Sequence, residues 1–400
     1  MGEDRLLTTD EVAMHLGVKK ATVYAYVSRG LLSSRRHAGG KESLFSEADV
    51  RAFGAQRRRG ATDSPAIHTG ITLITGDTLY YRGLDAAGLA RREPFEAVAT
   101  LLWTGELRPV PFAGDPELRA LAEAVIAPLP ADARLADLLR VVVAAAGSAD
   151  RLRFDTTPAA VTATGRTIVS TMVGALPVRS GETAPGPFPL AAELWRRLTA
   201  EAPAPERIGA LNAALVLLAD HDLAASTYAA RVAASTRAHP YAVVGAGLAA
   251  LDGPLHGAAS GLVVEMLAEA VRTGDAVGTV SRQLRAGGGV PGFGHPLYPG
   301  GDPRAAALLA LVTALPAGPG VLAAIGEVAA AMASRAAAAP DIDYALAALT
   351  LVTGMRPDAG EAIFAIARTA GWLAHAIEEY GDEPSRFRPH GRYAGRLPRA

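Results

Sequence analysis

The sequence predicts a mainly α protein in which a large helical domain follows a small N-terminal module. After residue 67, apolar residues recur every three to four positions in ten segments, whereas the alternating pattern of half-buried strands is scarce. All three lysines of the chain lie within its first 41 residues, and this shift in composition marks the module as separate. With 400 residues, half of them hydrophobic, the chain can bury a large core.

The N-terminal module, residues 1–54, has the pattern of a winged helix-turn-helix. Thr8 followed by Glu11 predicts a capping box at the start of a first helix, because each residue can satisfy a backbone N–H of the other. Apolar residues predict a small core formed by Val12, Ala13, Leu16, Val23, Tyr26, Val27, Phe45, Val50 and Phe53. Over nearly its full length the module resembles those of the MerR and excisionase type.

Five residues of this module are candidates for DNA binding. They are Lys19, Lys20 and Thr22 near the start of a second helix, and Arg35 and Arg36 in a basic wing with a Gly39–Gly40 turn. In helix-turn-helix proteins the N-terminal residues of the second helix contact base edges in the major groove. The alternative is a module for protein docking or dimerisation, with a solvated basic face.

The arginine run and turn residues of 55–66 predict a linker to the main domain, residues 67–400. Segment 71–83 predicts a short β-hairpin. The ten segments predicted as helices are 95–104, 117–127, 135–146, 189–199, 208–219, 241–251, 305–315, 321–335, 344–352 and 360–379. The uncharged stretch 305–326 is long enough to span a bilayer, but PAGPG in its middle favours two buried helices joined by a turn.

Several polar residues stand out against this apolar background, namely His221, His256, His295, Arg304, Asp343, Arg368 and Arg388. His295 and Arg304 lie in VPGFGHPLYPGGDPR, where four glycines and four prolines exclude a regular helix. Singly, each residue has an ordinary explanation: His221 could interact with a helix dipole, His256 could be a turn residue, and Asp343 could be an N-cap. Arg368 could pair with any carboxylate, and His375 is interpreted as structural.

Together these residues indicate a particular chemistry. Histidines in glycine-framed loops can donate hydrogen bonds to substrate carbonyls, and arginines can bind carboxylates through two N–H groups. An aspartate in a dry pocket, with its pKa raised from about 4, can act as a base. The combination suits the formation of a carbon–carbon bond between an enolised thioester and a keto acid.

Composition excludes several other classes of protein. The absence of cysteine excludes disulfides, thiolate zinc sites and a cysteine nucleophile, and it fits the cytoplasm. A net charge of −1 offers no overall electrostatic attraction to nucleic acid or membranes. No paired His, Asp or Glu has metal-ligand spacing on one helix, so we expect no metal and no permanently bound cofactor.

The segments that carry these residues are similar to motifs of the citrate synthase family. Between about residues 69 and 395 they follow in the family's order as GITLITGDTLYYRGLDAAGLARREPFEAVATLLWTGE, DHDLAASTYAARVAAST, GPLHG, GFGHPLYPGGDPRA, PDIDYALA and FAIARTAGWLAHAIEE. The resemblance implies a mainly α fold with a large domain (about 67–257 and 343–400), a small domain (about 258–342) and an active site in the cleft between them. It also implies a homodimer or a higher assembly.

The resemblance further implies a role for each candidate. His256 would hydrogen-bond the thioester oxygen of acetyl-CoA, Asp343 would remove its methyl proton, and His295 would polarise the keto carbonyl of oxaloacetate. The keto acid would also be bound by His221, Arg304 and Arg368, and by Arg388 of the partner subunit. Backbone at Val290, Gly292 and Gly294 would approach the CoA arm. Hydrolysis of citryl-CoA would complete citrate synthesis, the entry step of the tricarboxylic acid cycle.

The chain departs from the family pattern beside the site. Ala258, Ala259 and Ser260 follow the GPLHG motif where the family often has Gly-Ala-Asn, Pro296 stands where Arg is common, and Ala224 stands where Asn is common. These departures leave open a 2-methylcitrate synthase that uses propionyl-CoA. The helix-turn-helix module leaves open a metabolite-sensing DNA-binding regulator built on a synthase scaffold.

Overall fold

The structure is a computed structural model. It describes residues 6–16, 18–28, 32–36, 43–51, 53, 67–182, 186–254, 256–257, 259–287, 289–336, 338–388 and 395. The chain divides into two compact units, Met1–His68 and Thr69–Ala400. The predicted linker 55–66, the Gly39–Gly40 turn and the side chains of Arg35 and Arg36 lie outside the described part.

The first unit is built from β1 (Leu6–Thr8), α1 (Thr9–Leu16), α2 (Lys20–Ser28), β2 (Arg35–Arg36), β3 (Ser43–Ser46) and a helical segment α3 (47–51). Its antiparallel sheet has the order β1-β3-β2. The predicted capping box is confirmed, since the Thr8 backbone N–H donates to Glu11 at 2.8 Å and the Glu11 N–H donates to Thr8 Oγ1 at 3.3 Å. The predicted core is also confirmed, with Val12, Val23 and Phe45 fully buried.

The second unit begins with an antiparallel sheet of β4 (Thr72–Thr75), β5 (Thr78–Tyr81) and β6 (Leu84–Asp85). The predicted hairpin is thus confirmed, with one further strand. The helices before the GPLHG motif are α4 (Ala86–Arg92), α5 (Phe95–Thr104), α6 (Pro116–Ile126), α7 (Leu135–Ala149), α8 (Pro158–Ala175), α9 (Pro189–Leu198), α10 (Pro205–Leu218), α11 (Ala225–Ser235) and α12 (Pro240–Leu251). Those after it are α13 (Ala259–Thr273), α14 (Ala276–Arg285), α15 (Pro303–Val312), α16 (Val321–Ala336), α17 (Ile342–Val352) and α18 (Ala359–Gly381).

The prediction of a mainly α protein is confirmed, and each of the ten predicted segments is helical. The stretch 305–326 forms parts of α15 and α16 with a turn between them, as predicted, and no described helix is long and apolar enough to cross a membrane. Five helices were not predicted, namely α4, α8, α11, α13 and α14. Helix α8 shows why: TATGRTIVSTMVG is rich in Thr, Val and Gly, which favour helices weakly, and burial against α7 and α18 overrides that preference.

Helix α18 forms the centre of the second unit. It packs on α5, α7, α8, α10, α11 and α12, and is buried along most of its length. Trp372 lies against Gly247 of α12, where an added Cβ would come within 2.5 Å of the indole, so glycine permits this close crossing. Arg368, His375 and Glu379 of α18 are charged or titratable side chains that are buried on this helix, and burying such groups is costly unless they are paired.

Candidate active site

The structure brings two of the predicted histidines together with a tyrosine that sequence analysis missed. The rings of His221 and His295 lie 5.1 Å apart, and His221 Nε2 lies 2.9 Å from the Tyr298 hydroxyl. Arg304 completes the group, with its guanidinium carbon 5.6 Å from the centre of the Tyr298 ring. Tyr298 is buried and lies three residues after His295, and that spacing in a tight loop was its only signal in the sequence.

The loop that holds His295 is attached to the segment before α17. The backbone N–H of Gly294 donates to the Ala339 carbonyl, and that of Asp341 donates to the Gly292 carbonyl, each at 2.9 Å. Gly292 and Gly294 both have positive φ, 84° and 83°, a region that favours glycine. These two hydrogen bonds hold His295 and the start of α17 in a defined relative position.

Asp343 lies in the first turn of α17 with a carboxylate oxygen left free. The N-cap is Asp341, which accepts from the Asp343 and Tyr344 backbone N–H groups at 2.9 and 3.2 Å, so the N-cap explanation of Asp343 is wrong. Asp343 Oδ1 is shielded from solvent and has no hydrogen-bond partner within the described residues. Burial, and then the negative charge of Asp341, raise the pKa of Asp343 well above its usual value. A shielded carboxylate with a raised pKa is suited to accept a proton.

Contacts with Ser226 determine which ring nitrogen of His256 carries the proton. The Ser226 backbone N–H donates to His256 Nε2 at 3.3 Å, and the Ser226 hydroxyl lies 2.7 Å from the same nitrogen. That hydroxyl accepts from Trp372 Nε1–H at 3.2 Å, so its own hydrogen is available to Nε2. Burial, and then Arg368, lower the pKa of His256 to about 4. Neutral His256 therefore carries its proton on Nδ1 and can donate it to a ligand.

His295 and His221 are also held neutral. The Leu297 backbone N–H donates to His295 Nδ1 at 3.2 Å, which places the proton of the neutral ring on Nε2. Burial, followed by the charge of Arg304, lowers the pKa of His295. Burial and the same arginine lower the pKa of His221 well below its usual value. The site thus offers imidazole N–H donors without imidazolium charge.

Arg368 is a buried cation with two unpaired nitrogens. Its Nε donates to the Leu218 carbonyl at 2.8 Å, while Nη1 and Nη2 are shielded and have no partner in the described part of the chain. Burial lowers the pKa of Arg368 to about 10, so it remains charged at neutral pH. Because an unpaired buried charge is costly, these two nitrogens are poised to bind an anionic ligand.

Arg304 differs from Arg368 because it is already paired. Asp302 accepts from its Nε at 3.0 Å and from its Nη2 at 2.7 Å, and both residues are buried. Asp302 also accepts from the Ile342 backbone N–H at 3.2 Å, which ties this ion pair to the start of α17. Sequence analysis missed Asp302. The pair leaves the Nη1 side of Arg304 as the edge that can meet a ligand.

The remaining candidates differ in their exposure. Arg388 is exposed near the end of the described chain, and no described contact joins it to the histidines. Val290 is buried in the core, whereas Gly294 is exposed at the loop surface. Across the described residues, no group of three or more His, Asp or Glu could hold a metal ion.

In the first unit, the DNA-binding candidates of α2 differ in their availability. Lys19 is exposed, whereas Lys20 forms an exposed ion pair with Asp10 at 2.6 Å. Thr22 is half-buried. Arg35 and Arg36 lie on β2, the edge strand of the small sheet. Among the candidates whose side chains are described, Lys19 is the exposed cation for which the described residues show no ion pair.

Comparison with known proteins places this geometry in context. A family model described as the C-terminal domain of citrate synthase matches residues 60–390, and one described as a helix-turn-helix domain matches residues 6–58. A 2-methylcitrate synthase 2 of Corynebacterium glutamicum is 29% identical over 371 residues, covering 84% of this chain and 94% of the relative. A citrate synthase of Acidithiobacillus ferridurans is 32% identical over 352 residues, covering 79% and 89%.

The fold is shared with solved structures. The citrate synthase of Thermoplasma acidophilum, solved as a ternary complex with carboxymethyl coenzyme A and oxaloacetate, superposes with a TM-score of 0.67 at 24% identity. The alignment covers 86% of this chain and 97% of that one. The predicted architecture is therefore confirmed: a helix-turn-helix module is followed along the chain by a helical domain of this fold.

Proposed function

This chain belongs to the citrate synthase family, and we propose that it condenses acetyl-CoA with oxaloacetate and water to give citrate and CoA. The observation that carries the proposal is that three kinds of group occur together in this part of the fold. They are a shielded Asp343 oxygen without a hydrogen-bond partner, neutral imidazole donors, and a buried arginine with free nitrogens. A base, hydrogen-bond donors for an enolate and a carboxylate clamp are the three functions that this condensation needs.

The keto acid binds first to the arginines. Arg368 offers two free N–H groups for one carboxylate, and the Nη1 side of Arg304 meets the other. His295 Nε2–H donates to the keto carbonyl, and His221, whose ring lies 5.1 Å from that of His295, contacts the keto acid beside it. Arg388 of the partner subunit adds a further cation to the carboxylates.

Asp343 then removes a proton from the acetyl methyl group. His256 Nδ1–H donates to the thioester oxygen, which gains negative charge as the proton leaves. A neutral imidazole suits this role because it stabilises an enolate or enol without full proton transfer. The CoA arm runs beside the backbone of Val290, Gly292 and Gly294, and the exposed Gly294 allows a ligand to approach closely because it has no side chain.

The enolate carbon attacks the keto carbon of oxaloacetate, and the thioester C=O re-forms. The keto oxygen becomes an alkoxide, and His295 stabilises it through Nε2–H. Water then hydrolyses the citryl-CoA thioester to release citrate and CoA, and this makes the overall reaction effectively irreversible. His256 and Asp343 lie at the two ends of the proposed small domain, residues 258–342, so closure of that domain would exclude water from the enolate.

The charge of Asp341 provides a test of the proposed base. Because Asp343 must be ionised to act, activity falls as pH drops through its pKa, which burial and Asp341 raise. Asp341→Asn removes the neighbouring charge, and Asn is also a good N-cap. We expect the acidic limb of the kcat/KM profile to move to lower pH in this variant.

Asp115→Asn supplies the matched control, because Asp115 caps α6 in the same way as Asp341 caps α17. Its pH profile should overlay that of the unaltered protein. An acidic limb that stays in place in Asp341→Asn, in a variant that is folded and active, would count against Asp343 as the base.

The choice of acyl-CoA is left open by residues that are close to the site motifs in the sequence. Ala224, Ala258, Ala259, Ser260 and Pro296 depart from the common family pattern, and one relative is named as a 2-methylcitrate synthase. We expect citrate from acetyl-CoA to form faster than 2-methylcitrate from propionyl-CoA. Mass spectrometry of the products from equimolar acyl-CoA mixtures checks this, and a predominance of 2-methylcitrate would reassign the substrate.

A second candidate function is DNA binding through the first unit. Residues 1–68 carry eleven Lys and Arg against eight Asp and Glu, although the whole chain has a net charge of −1. This local excess, the exposed Lys19 and the helix-turn-helix fold support contact with phosphates. A homodimer in the cytoplasm, which we also propose, would present two such modules to a palindromic site.

Fluorescence anisotropy of the full chain with labelled duplex DNA tests this candidate. We expect binding that weakens steeply with salt, and Lys19→Ala should reduce the slope of log K against log salt by about 1. Arg108→Ala, on the surface of the second unit, is the control and should leave the slope unchanged. Absence of binding even at low salt would favour a docking module.

A further inference from the structure

Four buried side chains that carry charge or can be charged form a connected network near Arg368. The reaction proposed above assigns this network no role. It runs through Asp220, His375, Arg231 and Glu379, each of which is fully buried. Asp220 comes directly before His221, and the other three lie on α11 and α18. Burying four ionisable groups is costly, so their arrangement needs an explanation beyond packing.

Asp220 lies in the field of Arg368 but does not bond to it. Its Oδ2 accepts from Thr72 Oγ1 at 2.5 Å and from His375 Nε2 at 3.4 Å. Its Oδ1, like the two terminal nitrogens of Arg368, is shielded without a hydrogen-bond partner among the described residues. Burial would raise the pKa of Asp220, but His375, Arg368 and Thr72 outweigh it and lower the pKa, so Asp220 is a carboxylate.

His375 is oriented by Arg231. Its Nδ1 lies 2.6 Å from Arg231 Nη1, which can only donate, so Nδ1 accepts and Nε2 carries the proton toward Asp220. Arg231 in turn donates to Glu379 at 2.6 Å and to Glu378 at 2.8 Å. The tautomer of His375 is thus set by groups that lie away from the keto-acid site.

Close packing limits where the Asp220 carboxylate can go. A Cβ added at Gly371 of α18 would lie 2.3 Å from Asp220 Oδ1, so the carboxylate lies directly against the helix backbone. The Gly371 backbone N–H donates to the Ala219 carbonyl at 2.9 Å, which fixes the chain just before Asp220. With the backbone held, rotation of the side chain is the freedom that remains to Asp220.

We propose that His375 is a positioning residue that, with Thr72, holds the Asp220 carboxylate off Arg368. Asp220 then supplies a counter-charge that keeps the guanidinium ionised, while Nη1 and Nη2 stay free for the substrate carboxylate. Without the His375 donor, the Asp220 carboxylate would turn toward Arg368, whose Nη1 and Nη2 are unsatisfied donors and whose charge already acts on it. The carboxylate would close on them and compete with the keto acid. This inference rests on the proposed function, because it takes Arg368 as the keto-acid anchor.

The test measures oxaloacetate binding and turnover separately. We expect His375→Ala to raise KM for oxaloacetate by about 10- to 100-fold, the effect of losing a hydrogen bond to a charged group, with a much smaller change in kcat and in KM for the acyl-CoA. His375→Gln should restore KM toward that of the unaltered protein, because its amide can accept from Arg231 and donate to Asp220. A merely structural role would not produce this split or this rescue.

The double variant His375→Ala/Asp220→Asn tests the competing carboxylate directly. If Asp220 closes on Arg368, removing its charge should lower KM relative to His375→Ala alone, so the two changes would not add. Arg197→Met, which removes a buried arginine that pairs with the half-buried Glu193 on α9, controls for general destabilisation and should leave KM for oxaloacetate unchanged.

Calorimetric titration of oxaloacetate into Asp343→Asn separates this inference from the proposed reaction, since it needs no turnover. Tight binding that His375→Ala weakens would support the inference even if no condensation is detected. A lack of condensation would refute only the proposed reaction. A folded His375→Ala protein with an unchanged KM and unchanged oxaloacetate binding would overturn the inference. So would a parent protein that binds no oxaloacetate.

Discussion

Asp343→Asn is expected to lower kcat by about 10²- to 10⁴-fold, the usual contribution of a general base. The amide has the size of the carboxylate but cannot take the methyl proton. KM for oxaloacetate should change little, because Arg304 and Arg368 hold the keto acid and remain in place. Steady-state kinetics with both substrates varied would show the effect in kcat alone.

Although its kcat falls, Asp343→Asn should not lose conformational stability. A carboxyl whose folded-state pKa is raised disfavours the fold when it is ionised, and this cost is present at pH values above the raised pKa. Asp343→Asn removes the cost, so thermal unfolding at neutral pH should show equal or greater stability. The role of Asp343 would be contradicted if Asp343→Asn kept a kcat close to that of the unaltered protein. It would also be contradicted if the variant lost activity because it unfolds.

His256→Ala is expected to lower kcat by about 10²- to 10³-fold, comparable to the loss of one oxyanion-hole donor. The imidazole acts through Nδ1–H, which is available because Ser226 occupies Nε2. Ser226→Ala should have a smaller effect in the same direction, since the ring would keep its donor but lose the hydroxyl that orients it. Presteady-state and steady-state rates with saturating oxaloacetate would measure both variants.

The control for His256 is another histidine at a helix start, His239. It is the N-cap of α12 and its Nδ1 accepts from the Ala242 backbone N–H at 3.2 Å, which is a structural role. His239→Asn preserves an N-cap and should leave kcat unchanged. Equal losses in His256→Ala and His239→Asn would indicate that histidine changes act through folding and not through the enolate.

The fold was largely predictable because helix periodicity is a local property of the sequence. Segments such as 135–146 and 360–379 carry apolar residues at a strict helical spacing, and each lies within a helix that packs on its neighbours. Helices α13 and α14 were missed although the sequence carries their signal, since the buried residues of α13, such as Val263, Val264 and Leu267, follow a helical spacing. Their formation depends on contacts with α16 and α17 that no local window contains.

The proposed site was predictable only as far as single residues. His221, His295 and Arg304 stood out as polar residues beside glycine- and proline-rich or turn segments, although Arg304 lies in the first turn of α15, and the structure places them together around Tyr298. Their partners did not stand out, since Ser226 and Asp302 acquire their roles from long-range or turn geometry. The distinction between Asp341 as cap and Asp343 as free carboxylate depends on where α17 begins, and a shift of two residues lies within the usual uncertainty of a helix start.

The buried network behind Arg368 shows the same limit most clearly. From the sequence, His375 is interpreted as a structural residue. Its contacts, Arg231 and Asp220, lie 144 and 155 residues away. Chemistry that depends on such distant pairs becomes visible only when the chain is folded.

The release of free CoA from acetyl-CoA, followed with a thiol reagent in the presence and absence of oxaloacetate, tests the central claim most directly. We predict release by the purified protein that requires oxaloacetate and is lost in Asp343→Asn. Release that does not depend on oxaloacetate, or no release from either acetyl-CoA or propionyl-CoA by a folded protein, would contradict the assignment of this site to keto-acid condensation.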